Sequence, residues 1–236
     1  MIAAAQHDLD KILEGLNPQI IEEGKKIVVT GADLKQVVEY YITFLDEEIK
    51  NKGVMPIFPF ILSPAQIRAF FQAALIFEDH PKNYHLGTFT SKMMEQSYSI
   101  GHTQFTLDQV FVVPTPICEN LHGRKEQPIE ITLEGRWGKN SVGSDSRYCH
   151  FRFTEDYREQ FYYLGSRSRY CHFIFEGDAH VSTYYSDMLL LGNRFCEYKT
   201  TQRETLQKLC NNIKTGLGHK IYFIHPDGSE ELKRRD

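Results

Sequence analysis

Long apolar runs are missing from this chain: none approaches the roughly 18 residues that a membrane-crossing helix requires, so no span is expected. Net charge is small, with 27 Lys and Arg against 31 Asp and Glu giving −4 and a pI near 6.2. Binding a polyanion through counterion release needs a strongly basic face. The whole-chain balance supplies none, so a nucleic-acid partner is not expected unless a local patch provides one. Cysteine is sparse, and its five copies (Cys118, Cys149, Cys171, Cys196 and Cys210) leave one over from any complete pairing. The start MIAAAQHDLDKIL has neither a basic opening nor a long apolar core, so no secretory signal is expected. The thiols are accordingly read as reduced, in a cytoplasmic protein. Also absent are the GxxxxGK[ST] phosphate loop, GxGxxG, GxSxG and HExxH. Those gaps remove the commonest local signatures of nucleotide-binding and hydrolytic enzymes. The catalytic residues and any cofactor stay unassigned on sequence grounds.

What is present is the composition of a folded protein, 41% hydrophobic and 25% charged. Aromatics reach 13%, with 16 Phe and 13 Tyr, which favours strands or an aromatic-lined surface. The first half reads as helices. Leu34, Val37, Val38, Tyr41, Leu45 and Ile49 recur at three- and four-residue steps, with Thr30 and Asp33 as a capping pair and Gly53 as a stop. A second helix opens at Ser63-Pro64-Ala65-Gln66, where Ser63 and Gln66 can cap reciprocally and Pro64 suits the first helical position. Pro56 and Pro59 make the segment between them extended. Short helices are expected over 8–16 and 18–26, another near 88–98, and strand character from Phe105 to Val113, with a boundary at Thr115-Pro116.

The second half repeats. Residues 143–153 read GSDSRYCHFRF and residues 165–175 read GSRSRYCHFIF, matching at nine of eleven positions with an offset of 22. Weaker copies at the same offset are Ile129-Glu130-Ile131 upstream and Gly192-Asn193-Arg194-Phe195 downstream. Units of this length that cannot bury their own apolar face must lie against a neighbour, as in a solenoid. Stacked in register, Phe151 lies on Phe173, and Ile129 or Phe195 continues the ladder. A duplicated hairpin pair would give the same similarity within an antiparallel sheet, so both architectures stay open. The chain then closes with a helix near 201–215 opened by a Thr201/Glu204 capping pair, a strand over Ile221–Ile224, a turn at Pro226-Asp227-Gly228 and a frayed charged tail.

Phe175-Glu176-Gly177-Asp178-Ala179, followed by Tyr184, Ser186 and Met188, resembles one coil of the glycine-rich β-helix of glutamate synthase large subunits and of a formylmethanofuran dehydrogenase subunit. The likeness covers residues 129–198, with His180 where a glycine is usual. It implies a structural spacer and carries over no catalytic residue. The fold class read from the sequence is α+β. A mainly helical domain spans 1–114, a β-repeat domain with a period of about 22 residues spans 115–200, and a C-terminal helix, strand and tail over 201–236 pack on the β half.

Three clusters could carry chemistry. Cys149-His150 and Cys171-His172 offer zinc-type ligands, but adjacent strand residues face opposite ways, so thiols and imidazoles separate and no metal is assigned. Arg147, Arg152, Arg167, Arg169 and Arg194 lie among tyrosines, and a basic-aromatic set of this kind suits a phosphate, a nucleotide or a single strand. Arg147, Arg167, Arg169, His150 and His172 are the candidate ligand-binding residues. Glu78-Asp79-His80, His85 and His102 could do acid–base work. The expected role is structural or interaction-based, through a protein partner or self-association in an oligomer. Its alternative is an anion-binding module or enzyme.

Overall fold

The computed structural model describes residues 31–51, 60–75, 84–109, 117–135, 141–156, 163–177, 179, 193–213 and 217–235. The apolar spacing of the first expected helix becomes α1, Gly31–Asn51, which buries Leu34, Val37, Val38, Tyr41 and Phe44. In α2, Pro64–Leu75, the Ser63 N–H donates to Gln66 Oε1 at 2.9 Å and the Gln66 N–H donates to Ser63 Oγ at 3.4 Å. This is the reciprocal cap that the sequence implies. Helix α3, Tyr84–Ser99, begins earlier than expected. Phe89 on α3 joins the three, its ring centroid 4.9 Å from Tyr41, 5.7 Å from Phe44 and 5.5 Å from Phe70. The expected helices over 8–16 and 18–26, the caps Thr30 and Gly53, and the Thr115-Pro116 boundary lie outside the described residues. No described helix is long and apolar enough to cross a membrane.

Beyond the helices the chain winds into coils. In order it forms β1 (Gln104–Gln109), β2 (Ile129–Gly135), β3 (Ser141–Val142), β4 (Cys149–Phe153), β5 (Tyr163–Leu164), β6 (His172–Phe175), β7 (Glu197–Thr200), α4 (Arg203–Asn212), β8 (Lys220–Ile224) and β9 (Glu230–Arg235). One sheet runs β1-β2-β4-β6-β7-β8-β9, parallel up to β8, and β3 pairs in parallel with β5 on another face. Parallel in-register pairing makes this a β-solenoid and excludes the antiparallel alternative. Phe105, Ile131, Phe151, Phe173, Tyr198 and Ile221 form one inward row. In it the Phe151–Phe173 and Phe173–Tyr198 rings stack at 5.1 and 5.4 Å. The next row stacks Phe153 on Phe175 at 4.8 Å. Burying each such ring contributes roughly 1.5–3 kcal/mol.

The neighbours of the central pair differ from the expected ones. Ile131, not Ile129, lies beside Phe151, because Ile129 pairs with Cys149. Tyr198, not Phe195, continues the row beyond Phe173. The corners between strands differ in length from coil to coil, so a uniform offset of 22 holds only between the two near-identical copies. Corner geometry repeats even so. Asn120, Asp145 and Arg167 hold φ of 57°, 57° and 60°, and Tyr148, Tyr170 and Phe195 hold 51°, 56° and 55°. Beside them Ser146, Ser168 and Asn193 point inward and satisfy the turning backbone. Ser146 Oγ donates to Cys118 O at 2.9 Å, Ser168 Oγ donates to Gly143 O, and Asn193 Nδ2 donates to Leu164 O at 3.3 Å.

Both ends of the sheet are covered. At β1, Arg68 of α2 binds Asp108 at 3.0 Å and Glu134 at 2.9 Å. At the other end β9 adds antiparallel to β8, so the expected frayed tail is a strand. Helix α4 starts from Gln202 without a side-chain cap, and Thr201 Oγ1 instead donates to Glu176 O at 2.7 Å. The Thr201/Glu204 capping pair is therefore not formed. Buried residues from Leu34 to Ile221 make one continuous cluster, so the helices and the solenoid share a core.

Candidate functional site

Strand alternation sorts the repeat onto two faces. Cys149, Cys171 and Cys196 face inward, fully buried, and each thiol donates to a carbonyl of the preceding coil: Leu121 O at 3.4 Å, Ser146 O at 3.4 Å and Ser168 O at 3.7 Å. Burial pushes the thiols of Cys171 and Cys196 upward in pKa. Among the described residues no group of three or more His, Cys, Asp or Glu is placed to hold a metal ion. The imidazoles face outward. His150 and His172 stack at 4.2 Å with their planes 7° apart, in a row that reads Glu130, His150, His172, Glu197, Lys220. His172 lies 3.6 Å from Glu197, and Lys220 binds Glu197 at 2.8 Å.

A second outward row runs alongside. Tyr148 stacks on Tyr170 at 5.1 Å and Tyr170 on Phe195 at 5.3 Å. Tyr170 and Phe195 remain 43% and 50% exposed, high values for large apolar side chains. All three sit at positive φ, which costs a bulky residue about 1–2 kcal/mol. The row is interrupted at both ends. His122 pairs with Arg147 and Ile129 with Cys149, so residues 123–128 stand where the next coil has Tyr148 alone. Tyr98 of α3 pins that inserted loop, donating to Gln127 O at 2.6 Å and accepting from the Arg124 N–H at 3.0 Å. At the far end Gly218 lies against the Phe195 ring. The result is a groove of about 480 Å³ with Lys125 and Pro128 at one end, the imidazole and aromatic rows along it, and Lys220 at the other.

The third outward row is cationic. Arg147, Arg169 and Arg194 pair in register, one per coil, so their backbones follow at about 4.8 Å. All three are exposed and none has a side-chain partner among the described residues. Most other basic residues near them are neutralised: Arg152 binds Glu176 at 3.0 Å, Lys199 binds Glu230 at 2.8 Å, and Arg167 binds Asp145. Of the expected set, Arg167 is paired with the carboxylate of the preceding coil, whereas Arg194 lies in register with Arg147 and Arg169. The sequence singles out Arg194 only as one of the surrounding arginines. Lining up Arg194-Phe195 with Arg169-Tyr170 at an offset of 25 would have found both members of the third copy.

Electrostatics keep the imidazole pair neutral at neutral pH. His172 is lowered to about 4, first by burial and then by the neighbouring His150, with Glu197 opposing. His150 is lowered by burial, with Glu130 opposing. For Glu197 burial acts upward, but the Lys220 hydrogen bond and the surrounding cations outweigh it and hold the carboxyl below its ordinary range. His102 of the third expected cluster meets Ser97 Oγ at 3.1 Å. Residues 78–80 and the His85 side chain lie outside the described residues. No family model, curated protein or solved structure matches the chain, so the face is read from its own geometry.

Proposed function

We propose that this protein is a binding module whose outer solenoid face docks an extended acidic segment of a partner protein. One observation carries the reading: three exposed guanidinium groups in a single in-register row, without carboxylate partners among the described residues, beside an exposed aromatic strip. Like charges one coil apart repel, and a fold that neutralises Arg152 and Arg167 nearby leaves these three for an external anion. Tyr170 and Phe195 supply apolar contact of the kind enriched at protein interfaces. A nucleic acid fits less well. Base recognition by stacking needs free ring faces, and here the rings cover one another while Gly218 covers Phe195.

The test is fluorescence anisotropy with a labelled poly-glutamate peptide and, in parallel, a labelled oligo-thymidylate. Wild-type protein is expected to bind the peptide, and Arg169→Glu should weaken binding by at least about tenfold with the melting temperature unchanged. Equal affinity in wild type and variant overturns the proposal. Tighter binding of oligo-thymidylate, with a steep loss in salt, replaces it with a nucleic-acid role.

A further inference from the structure

We infer that the stacked His150–His172 pair couples docking to proton uptake, so that the groove holds its acidic ligand more tightly as pH falls. This rests on the docking reading above. The geometry is that of a two-site proton trap with room for one charge. The rings lie face to face at 4.2 Å, so protonating both would set two cations against each other. The charged groups facing the pair are Glu130 from β2, Glu197 and Lys199 from β7 and Lys220 from β8. Lys125 lines the groove from the inserted loop. The carboxylates partly offset burial, but Glu197 is already engaged by Lys220 at 2.8 Å. The free protein therefore keeps both rings uncharged. An incoming carboxylate adds the missing negative charge at the open side of the stack, and one imidazole then takes a proton from solvent. By linkage, a ligand that favours the protonated site must bind better when protons are abundant.

The sign follows from the direction of the shifts. In the free protein the rings resist protonation that the unfolded chain accepts near pH 6.5, so stability is full above that value and declines as pH falls towards about 4. Docking reverses this locally by raising the affinity of the pair for a proton.

The experiment is titration calorimetry with poly-aspartate at constant salt, in buffers of different ionisation enthalpy, between about pH 5.5 and 7.5, where aspartate stays ionised. Wild type should take up close to one proton per complex at the acid end and bind about tenfold more tightly there. The double variant His150→Gln/His172→Gln, checked for an unchanged fold by circular dichroism, should bind with no proton uptake and no pH dependence over this range. Imidazole proton resonances of the free wild-type protein should titrate below the ordinary histidine value, and His150→Gln should move His172 upward. Peptide binding without proton uptake, uptake that persists in the double variant, or ordinary imidazole titration each overturns the inference while leaving the docking proposal intact. Absence of peptide binding to wild type overturns the docking proposal and this inference together.

Discussion

At Gly143 and Gly165 the backbone sits at φ +70° and +62°, and a Cβ there would collide with the Cζ atoms of Phe151 and Phe173. The glycine that opens each near-identical copy is thus required twice over, by the left-handed turn and by the ring that fills the coil. Replacing Gly165 by Ala is expected to cost about 2–4 kcal/mol in urea denaturation, combining the strain of an L residue with displacement of Phe173. Gly228→Ala, at φ +82° with nothing within 4 Å, should cost only about 1 kcal/mol and serves as the control. Equal losses at the two sites would mean that the ring contact contributes nothing. A related compensation appears in the next coil. Asn193 replaces the inward serine and Tyr198 the inward phenylalanine, and the Asn193 Nδ2 donates to the Tyr198 hydroxyl at 3.2 Å. Burying that hydroxyl without a partner would carry a desolvation cost, so the two departures from the repeat belong together.

Among the elements, the last strand bears most on how the sheet is kept from growing. β9 reads EELKRR and is almost wholly exposed, yet it closes the sheet by pairing with β8. A strand edge crowded with charged side chains discourages another chain from adding to it. Replacing Lys233 and Arg235 together by Val should therefore shift sedimentation profiles towards larger species at equal concentration. An unchanged profile would show that charge on this edge does not control association. Composition alone makes SEELKRRD look like a solvated tail. It becomes a strand because β8 leaves an open edge within reach of a two-sided turn, where Gly228 N–H donates to His225 O at 2.8 Å. The inserted loop at 123–128 shows the same dependence on context. Its sequence has no apolar pattern, and it acquires a position because Tyr98 on a distant helix holds its ends.

Across the whole molecule, the rows that stabilise the solenoid also connect it to the helices through one continuous core. Neighbouring coils share the inward Phe151–Phe173–Tyr198 row, so they are expected to open together rather than one at a time, as weakly coupled repeats would. The cysteines report on this directly. Cys118, Cys149, Cys171 and Cys196 are buried, whereas Cys210 is partly exposed on α4. Under native conditions a maleimide should label Cys210 first and the other four at a common slower rate set by opening of the core, resolved by mass spectrometry. Distinct rates for Cys149, Cys171 and Cys196 would instead show coils that open independently.

The near-identity of GSDSRYCHFRF and GSRSRYCHFIF by itself determined that two segments share one conformation, and strand alternation determined that their thiols and imidazoles part company. Local patterns likewise determined α1, α2 and the Ser63/Gln66 cap, because spacing and capping act within a few residues. Only the tertiary structure decided what lies beside each copy. Corners of unequal length put Ile131 and Tyr198 next to the phenylalanine pair, and no fixed offset predicts such lengths. It also decided which arginine is paired, since Asp145 reaches Arg167 and not Arg147 or Arg169. A charged residue's availability depends on every carboxylate within a few ångströms in space, and that set is assembled by the winding of the coils.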